Sequence, residues 1–199
     1  MKVDDGMTKE SIIIAALRLF LTQGYKSVSL IDVANEIGIT KGGIYHYFSS
    51  KDELLQAAFH FLLDSFEVKY KDLLNSTVSL KDILQILLVE NALEKHATEL
   101  LGVDHTCRID HIHFAIDIVR RFPNIQERIQ ENRKILFNEL AKKIQQAITD
   151  GEVREDMDEN ALAAIFIALL NGHKSVDAGF TSEKAQQQMV NTLWNLIRM

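Results

Sequence analysis

The 199-residue chain holds one cysteine, Cys107, so no disulfide can form within it. That fits a reducing cytoplasm, which is the expected location. Proline occurs once, at Pro123, and glycine nine times. So few breakers in a chain of this length predict a mostly helical protein. Long hydrophobic runs are missing too. The stretch Ile12 to Leu21 is interrupted by Arg18 and is too short to span a bilayer, so no membrane partner is expected. The first residues, Met1-Lys2-Val3-Asp4-Asp5-Gly6, do not have the pattern of a signal peptide. No nucleophile elbow, phosphate-binding loop or HExxH motif occurs, so no enzyme is expected. A basic excess is also absent. Lys and Arg number 22 against 28 Asp and Glu, for a net charge of −6, which argues against a general nucleic-acid coat protein. A 47% hydrophobic content excludes a disordered chain.

Helical periodicity runs through nearly the whole chain. Ile13, Ala16, Leu17 and Phe20 form one apolar stripe, with Thr8 as the expected N-cap and Gly24 as the stop. Ser29 opens a short helix, and Asp32, three residues on, can return the capping bond. Ile37-Gly38-Ile39 interrupts that helix, and Thr40 caps a third one reaching Tyr47 or Phe48. Ser50-Lys51-Asp52-Glu53 predicts a capping box opening a long fourth helix. Its apolar face carries Leu54, Leu55, Ala58, Phe59, Leu62 and Leu63. Further helices are expected from Ser79, over about Asp104 to Arg121, from Pro123 to near Gly151, within Met157 to Asp177, and from Thr181 or Ser182 onward. The domain expectation is a helix-turn-helix DNA-binding domain over 1–50, its first seven residues a flexible tail, and a second helical domain over 51–199.

The segment from Ser29 to Phe48 carries the strongest signal. Val33, Ala34, Ile37, Ile39 and Ile44 have the spacing to bury the corner between two short helices. Ala34 is small where the helices cross, and Gly38 suits a left-handed turn. This is the layout of a helix-turn-helix, whose second helix can enter the major groove, although an ordinary helical corner shares it. Ser29-Leu30-Ile31-Asp32-Val33-Ala34-Asn35-Glu36-Ile37-Gly38-Ile39-Thr40-Lys41-Gly42-Gly43-Ile44-Tyr45-His46-Tyr47-Phe48, followed by Lys51 and Leu54, closely resembles the DNA-binding signature of the TetR (tetracycline repressor-like) family. Ala15-Ala16, Leu19-Phe20 and Gly24-Tyr25 match that family's first helix, so the resemblance covers about residues 8 to 60. Departures are mild: Ser29 stands for Thr, Val33 for Ile, Ile37 for Ala, Ile39 for Val and Thr40 for Ser. Gly43 takes a place often held by Thr, Ser or Ala, so one base contact is expected to be absent.

The chemistry of the segment agrees. Ser29 and Thr40 sit at helix N-termini, where hydroxyls and backbone N–H groups favour phosphate. Lys41 can donate to guanine O6 or N7. Gly42 and Gly43 remove bulk and let the backbone approach the DNA. Tyr45 and Tyr47 offer hydroxyls to phosphates, His46 can reach a base edge or a phosphate, and Lys51 is expected to clamp a phosphate. Phe48 is expected in the core.

The resemblance implies an all-α protein with a three-helix DNA-binding head. It further implies a helical domain that binds a small ligand and forms a homodimer on a palindromic double-stranded DNA operator. No cofactor is required; the effector is expected to be a hydrophobic or amphipathic small molecule. Expected pocket residues are Phe59, Leu62, Leu63, Phe66, Leu87, Leu88, His111, Phe114, Ile118, Phe137 and Phe166. The dimer interface maps to the last two helices, with Ala161, Ile165, Ala168, Leu169, Gly172, Met189, Leu193, Trp194 and Ile197 as candidates.

One cluster stands apart. Residues 104–113 hold three His, two Asp and the cysteine. Asp104, Cys107 and His111 share a helix face, and these residue types ligate transition metals. A metal-dependent enzyme or metal sensor is the alternative function; a partly solvated helix start is the plain one. Charge is unevenly spread. The first 50 residues contain five basic and five acidic side chains, and the remaining 17 basic and 23 acidic carry the whole −6. DNA affinity is therefore expected to be modest and salt-sensitive, resting on a dimer and its spacing rather than on a broad basic patch.

Overall fold

The computed structural model describes residues 5–103, 118, 121–172 and 182–199, with side chains from residue 8. The expected helix over about 104–121 and the Asp104, Cys107 and His111 cluster lie almost wholly outside these residues. Among the described residues there are nine α-helices and no strand: α1 Asp5–Gln23, α2 Leu30–Ile37, α3 Lys41–Tyr47, α4 Lys51–Leu74, α5 Leu80–Leu88, α6 Ala92–Leu101, α7 Pro123–Thr149, α8 Glu159–Gly172 and α9 Glu183–Ile197. The all-α expectation holds.

Local chemistry explains most boundaries. Gly24 has φ 84 and its N–H closes on the Phe20 carbonyl at 3.0 Å, so α1 stops where a left-handed residue is cheap. Gly38 repeats the device between α2 and α3, with φ 74 and ψ 27. Ser79 and Ser182 accept from the N–H groups of Asp82 and Ala185 and cap α5 and α9. Pro123 opens α7 as its first residue, where the missing N–H costs nothing.

Three expectations need correction. Thr8 is not an N-cap: α1 already begins at Asp5, so residues 5–7 belong to the helix and not to a tail. At α4, Ser50 does accept from the Glu53 N–H at 3.1 Å, but the Glu53 carboxylate reaches past the cap. It takes the Ser49 N–H at 2.8 Å and the Ser49 hydroxyl at 2.6 Å, so the box is not reciprocal. Helix α6 has no counterpart in the periodicity reading. It starts after Asn91, which adopts φ 52, a left-handed conformation that asparagine tolerates.

Packing divides the chain into two compact units: residues 1–65 with 95–130, and residues 66–94 with 131–199. The division falls inside α4 after Ser65, further along the long fourth helix than the expected boundary between residues 50 and 51. The reason is visible in the first core. Leu54, Leu55, Ala58 and Phe59 of α4 are buried with Leu17 and Phe20 of α1, Val33 and Ala34 of α2, and Ile44 and Phe48. Leu101, Ile118, Phe122 and Ile125 complete that core. In the second unit Tyr70, Leu80, Ile83, Leu84, Leu140, Ile144, Phe166 and Val190 are buried together. The Tyr70 hydroxyl donates to the Asn132 carbonyl, and Arg154 N–H donates to the Ile197 carbonyl. The first bond ties α4 to α7, and the second holds the C-terminus to the loop after α7.

Candidate nucleic-acid interface

Helix α3 is seven residues long, and its two sides differ sharply. Ile44 is fully buried and Phe48, just beyond the helix, is 2% exposed. Lys41, Gly42, Tyr45 and His46 are exposed on the opposite side. Positions 41 and 45, and 42 and 46, are one helical turn apart, so they form a continuous outward strip. The Lys41 ammonium lies 5.9 Å from the centroid of the Tyr45 ring. The Tyr45 side belongs to this strip and not to the core. The Tyr47 ring packs partly against the head core, and His46 meets it edge-on at 5.2 Å. Thr40 orders the first turn by accepting from the Gly43 N–H at 3.1 Å.

Both α3 glycines are absent of any need inside the protein. A Cβ at Gly42 meets nothing closer than the Thr40 Oγ1 at 3.9 Å. At Gly43 the same oxygen lies at 3.4 Å, an ordinary contact. Yet each glycine costs about 0.5–1 kcal/mol of helix stability against alanine. Gly42→Ala, on the exposed strip, is therefore expected to raise the melting temperature by a few degrees while weakening operator binding severalfold, read by thermal denaturation and fluorescence anisotropy. A lower melting temperature would show that the fold itself requires this glycine.

Two expected phosphate contacts look different in the structure. Ser29 forms a full capping box with Asp32: its Oγ accepts from the Asp32 N–H, and its own N–H and O–H both donate to Asp32 Oδ2 at 2.7 Å. The anion at the start of α2 is thus the protein's own carboxylate. Lys51 directs its ammonium inward. It donates to the carbonyls of Tyr25 and Val28, each at 2.7 Å, and lies 4.2 Å from the centroid of the Tyr25 ring. Burial pushes its pKa down. Two of its three donors are used inside the head, so its chief structural role is to fasten α4 to the turn before α2.

The caps also set an acid limit. The Ser29 hydroxyl, then its N–H, holds Asp32 below the ordinary 3.8; the Ser49 hydroxyl, then its N–H, holds Glu53 below 4.5. Depressed carboxylates stabilise the fold above their unfolded values and lose that contribution as pH falls through the folded ones. The urea midpoint is expected to drop from pH 5 toward pH 3, and less so in a doubly substituted Asp32→Asn, Glu53→Gln chain. An equal drop in that variant assigns the acid loss to other groups.

Contacts that spacing did not reveal tie the head together. Arg18 of α1 pairs with Glu36 of α2 at 3.4 Å. The Tyr25 hydroxyl donates to Asp52, and Arg121 grips the same carboxylate at 3.1 and 3.3 Å. Burial, then the Asp52 hydrogen bond, raises Tyr25 to about 12. These partners lie 18 to 69 residues apart in sequence, beyond any local pattern.

The expected ligand residues divide between the two cores. Phe59 and Ile118 are buried in the first unit, where Leu62 packs; Leu87, Leu88 and Phe166 are buried in the second, where Phe137 packs. Leu63 and Phe66 are half-buried, and His111 and Phe114 lie outside the described residues. An open groove in the second unit is lined instead by Lys71, Ile135, Glu139, Lys142, Gln145 and Asn160, none of them expected. At the expected dimer face, Ala161, Ile165 and Ala168 of α8 are exposed, while Leu169, Gly172, Met189, Leu193 and Trp194 are half-buried. Ile197 is a correction: it is 5% exposed and belongs to the second core. Leu196, not expected, is 61% exposed beside it. Among the described residues no group of His, Cys, Asp and Glu can hold a metal ion. Likewise, among them no helix is long and apolar enough to cross a membrane.

The family comparisons fit this geometry. The model of the bacterial regulatory proteins of the tetR family matches residues 12–58. That of the tetracyclin repressor-like C-terminal domain matches 111–193. The HTH-type transcriptional repressor KstR2 of Mycobacterium tuberculosis is 29% identical over 146 residues, covering 72% of this chain and 68% of that one. The HTH-type transcriptional regulator TtgR of Pseudomonas putida is 26% identical over 166 residues, covering 83% and 77%. A TetR-family regulator from Cytophaga hutchinsonii shares the fold, with a TM-score of 0.72 at 19% identity over 98% of this chain and 96% of that one. With a reading helix exposed in the head and both halves matched, the chain belongs to the TetR family of DNA-binding transcriptional regulators.

Proposed function

We propose that the protein is a cytoplasmic homodimeric repressor that binds a palindromic operator and is released by a small hydrophobic or amphipathic ligand. The observation that carries the DNA-reading part is the outward strip of Lys41, Gly42, Tyr45 and His46 on a helix anchored from behind by Ile44 and Phe48. Lys41 reads guanine through O6 and N7, and Tyr45 supports it from the next turn. The name of the relative KstR2 supports repression. Helix α8 supports the dimer. Its inner side buries Leu162, Ala163 and Phe166, yet its outer side is also apolar, with Ala161, Ala164, Ile165 and Ala168. A helix apolar all round calls for a second cover. Two-fold pairing sets two reading helices about 34–36 Å apart, matching successive major grooves. Release requires a ligand that binds the DNA-incompetent arrangement more tightly, since equal affinity for both shifts nothing.

Lys41→Ala tests the reading helix. Operator affinity is expected to fall by about 1–3 kcal/mol, roughly ten- to a hundredfold. Affinity for random duplex of equal length changes little. Equal losses on both DNAs would make Lys41 a phosphate contact and move sequence reading elsewhere.

A further inference from the structure

We propose that Arg121 and Asp52 are positioning residues for operator recognition, fixing the angle of the reading helices by holding the Tyr25 turn against the start of α4. The proposal rests on the DNA-reading function above and assigns a role to residues outside the recognition helix.

Tyr25 opens the 3-10 turn Tyr25–Ser27 that separates α1 from α2. Whatever fixes this turn fixes where α2 and α3 begin. The turn is fastened to α4 by Lys51, through the carbonyls of Tyr25 and Val28, and by Asp52, which accepts from the Tyr25 hydroxyl. Arg121 closes the arrangement. Its Nη2 reaches both carboxylate oxygens of Asp52, and its guanidinium carbon lies 5.4 Å from the Tyr25 ring centroid and 5.3 Å from that of Phe122. Arg121 is not a loose surface residue at its root. Phe122, next in the chain, is 8% exposed, and Ile118 and Ile125 on either side are buried in the same core.

Magnitude separates positioning from stability. The Arg121–Asp52 pair is half-exposed, and such pairs contribute little to folding. Direction is what the pair supplies. A carboxylate alone can rotate, whereas Arg121 Nη2 bonds both its oxygens and the guanidinium is itself placed beside the Tyr25 and Phe122 rings, so one oxygen stays aimed at the Tyr25 hydroxyl. Arg121 also lies within residues 111–193, the part matched by the C-terminal family model, while Tyr25, Lys51 and Asp52 lie within 12–58. Two residues later the chain enters α7, which runs on to Thr149. Arg121 is thus the side chain by which that part of the sequence holds the turn of the head.

The test uses the full-length protein with Arg121→Gln, Arg121→Lys, Asp52→Asn and the Asp52→Asn, Arg121→Gln double variant. Each is titrated against a selected operator and a random duplex of the same length, with melting temperature measured alongside. The expected result is an operator affinity about tenfold lower in all four, with random-duplex affinity within twofold of wild type and melting temperature within a few degrees. The double variant is no worse than the singles, because all break one unit. Arg121→Lys groups with Arg121→Gln, since lysine lacks the planar guanidinium that lies beside the Tyr25 and Phe122 rings and places the nitrogen on Asp52. Parallel losses on both DNAs, wild-type behaviour of Arg121→Gln, or additive losses in the double variant would each overturn the proposal. Amide hydrogen exchange covers poorly folding variants: faster exchange across residues 25–48 with 131–149 unchanged supports positioning, and a uniform rise overturns it. A wild-type chain with no operator preference removes the function itself, a failure visible before any variant is made.

Discussion

Replacing Ile165 by glutamate is expected to leave a folded monomer and to weaken operator binding by about a hundredfold or more, the low end of what joining two binding modules contributes. Ile165 is 47% exposed in the single chain, on the outer side of α8 between Ala161 and Ala168. A surface substitution of this kind changes monomer stability by about 0.5 kcal/mol at most. In the proposed dimer the same carboxylate is buried in an apolar interface, where an unpaired charge costs several kcal/mol. The small residues around it let helices approach closely, so the interface has little room to adapt. Native mass spectrometry and a titration of operator DNA read both consequences. A variant that stays dimeric with full affinity would place the interface elsewhere, with the exposed Leu196 of α9 the next position to charge. A monomer that still binds the operator at wild-type affinity would separate DNA reading from dimerisation and contradict the spacing argument.

Phe20→Ala is the second large effect. Phe20 is fully buried and meets the Tyr25 ring edge-on at 5.4 Å, at the junction of α1 with the turn that leads to α2. Removing a buried phenyl ring costs about 3–5 kcal/mol through lost transfer energy and the cavity left behind. Against the 5–15 kcal/mol typical of a whole domain, that loss is a large share. Urea denaturation is expected to show a destabilised first unit, and DNA binding is lost at temperatures where the wild type still binds. The second unit keeps its own core around Phe166, Leu84 and Ile144. A cost below 1 kcal/mol would mean that the site collapses around the missing ring and that Tyr25 does not depend on it.

What could be seen in the sequence was what local chemistry determines. The Ser29 and Asp32 box, the left-handed Gly38, the Thr40 cap and the Pro123 start each depend on residues within four positions, and all appear as expected. The inward bonds of Lys51 were not legible because its partners are carbonyls 23 and 26 residues away, and a lysine at a helix start shows nothing of them until those carbonyls are in place. Arg121 had no signal for the same reason, being 69 residues from Asp52. Glu53 was right in type and wrong by one residue, since Ser49 offers a hydroxyl and an N–H together. Ile197 shows the limit of periodicity. Helical spacing finds an apolar stripe but not whether the chain's own core or a partner covers it, and here the core does. The ligand candidates met that limit more broadly: buried phenylalanines and leucines at helical spacing are core residues first.

Charge is the remaining link between sequence and mechanism. A head with five basic and five acidic residues in its first 50 cannot hold DNA by a broad positive field. Lys51, the next basic residue along the chain, is turned inward and adds little outward charge, and Asp32 occupies the start of α2. In the proposed dimer, specific contacts from α3 and the pairing of two heads then supply most of the discrimination.

Selection of bound sites from a pool of random double-stranded DNA, using the full-length protein at moderate salt, tests this most directly. The expected result is enrichment of an inverted repeat whose half-sites lie one helical turn, or a multiple of it, apart, with guanine at the position that Lys41 faces. A pool that shows no enriched sequence after repeated rounds would contradict it.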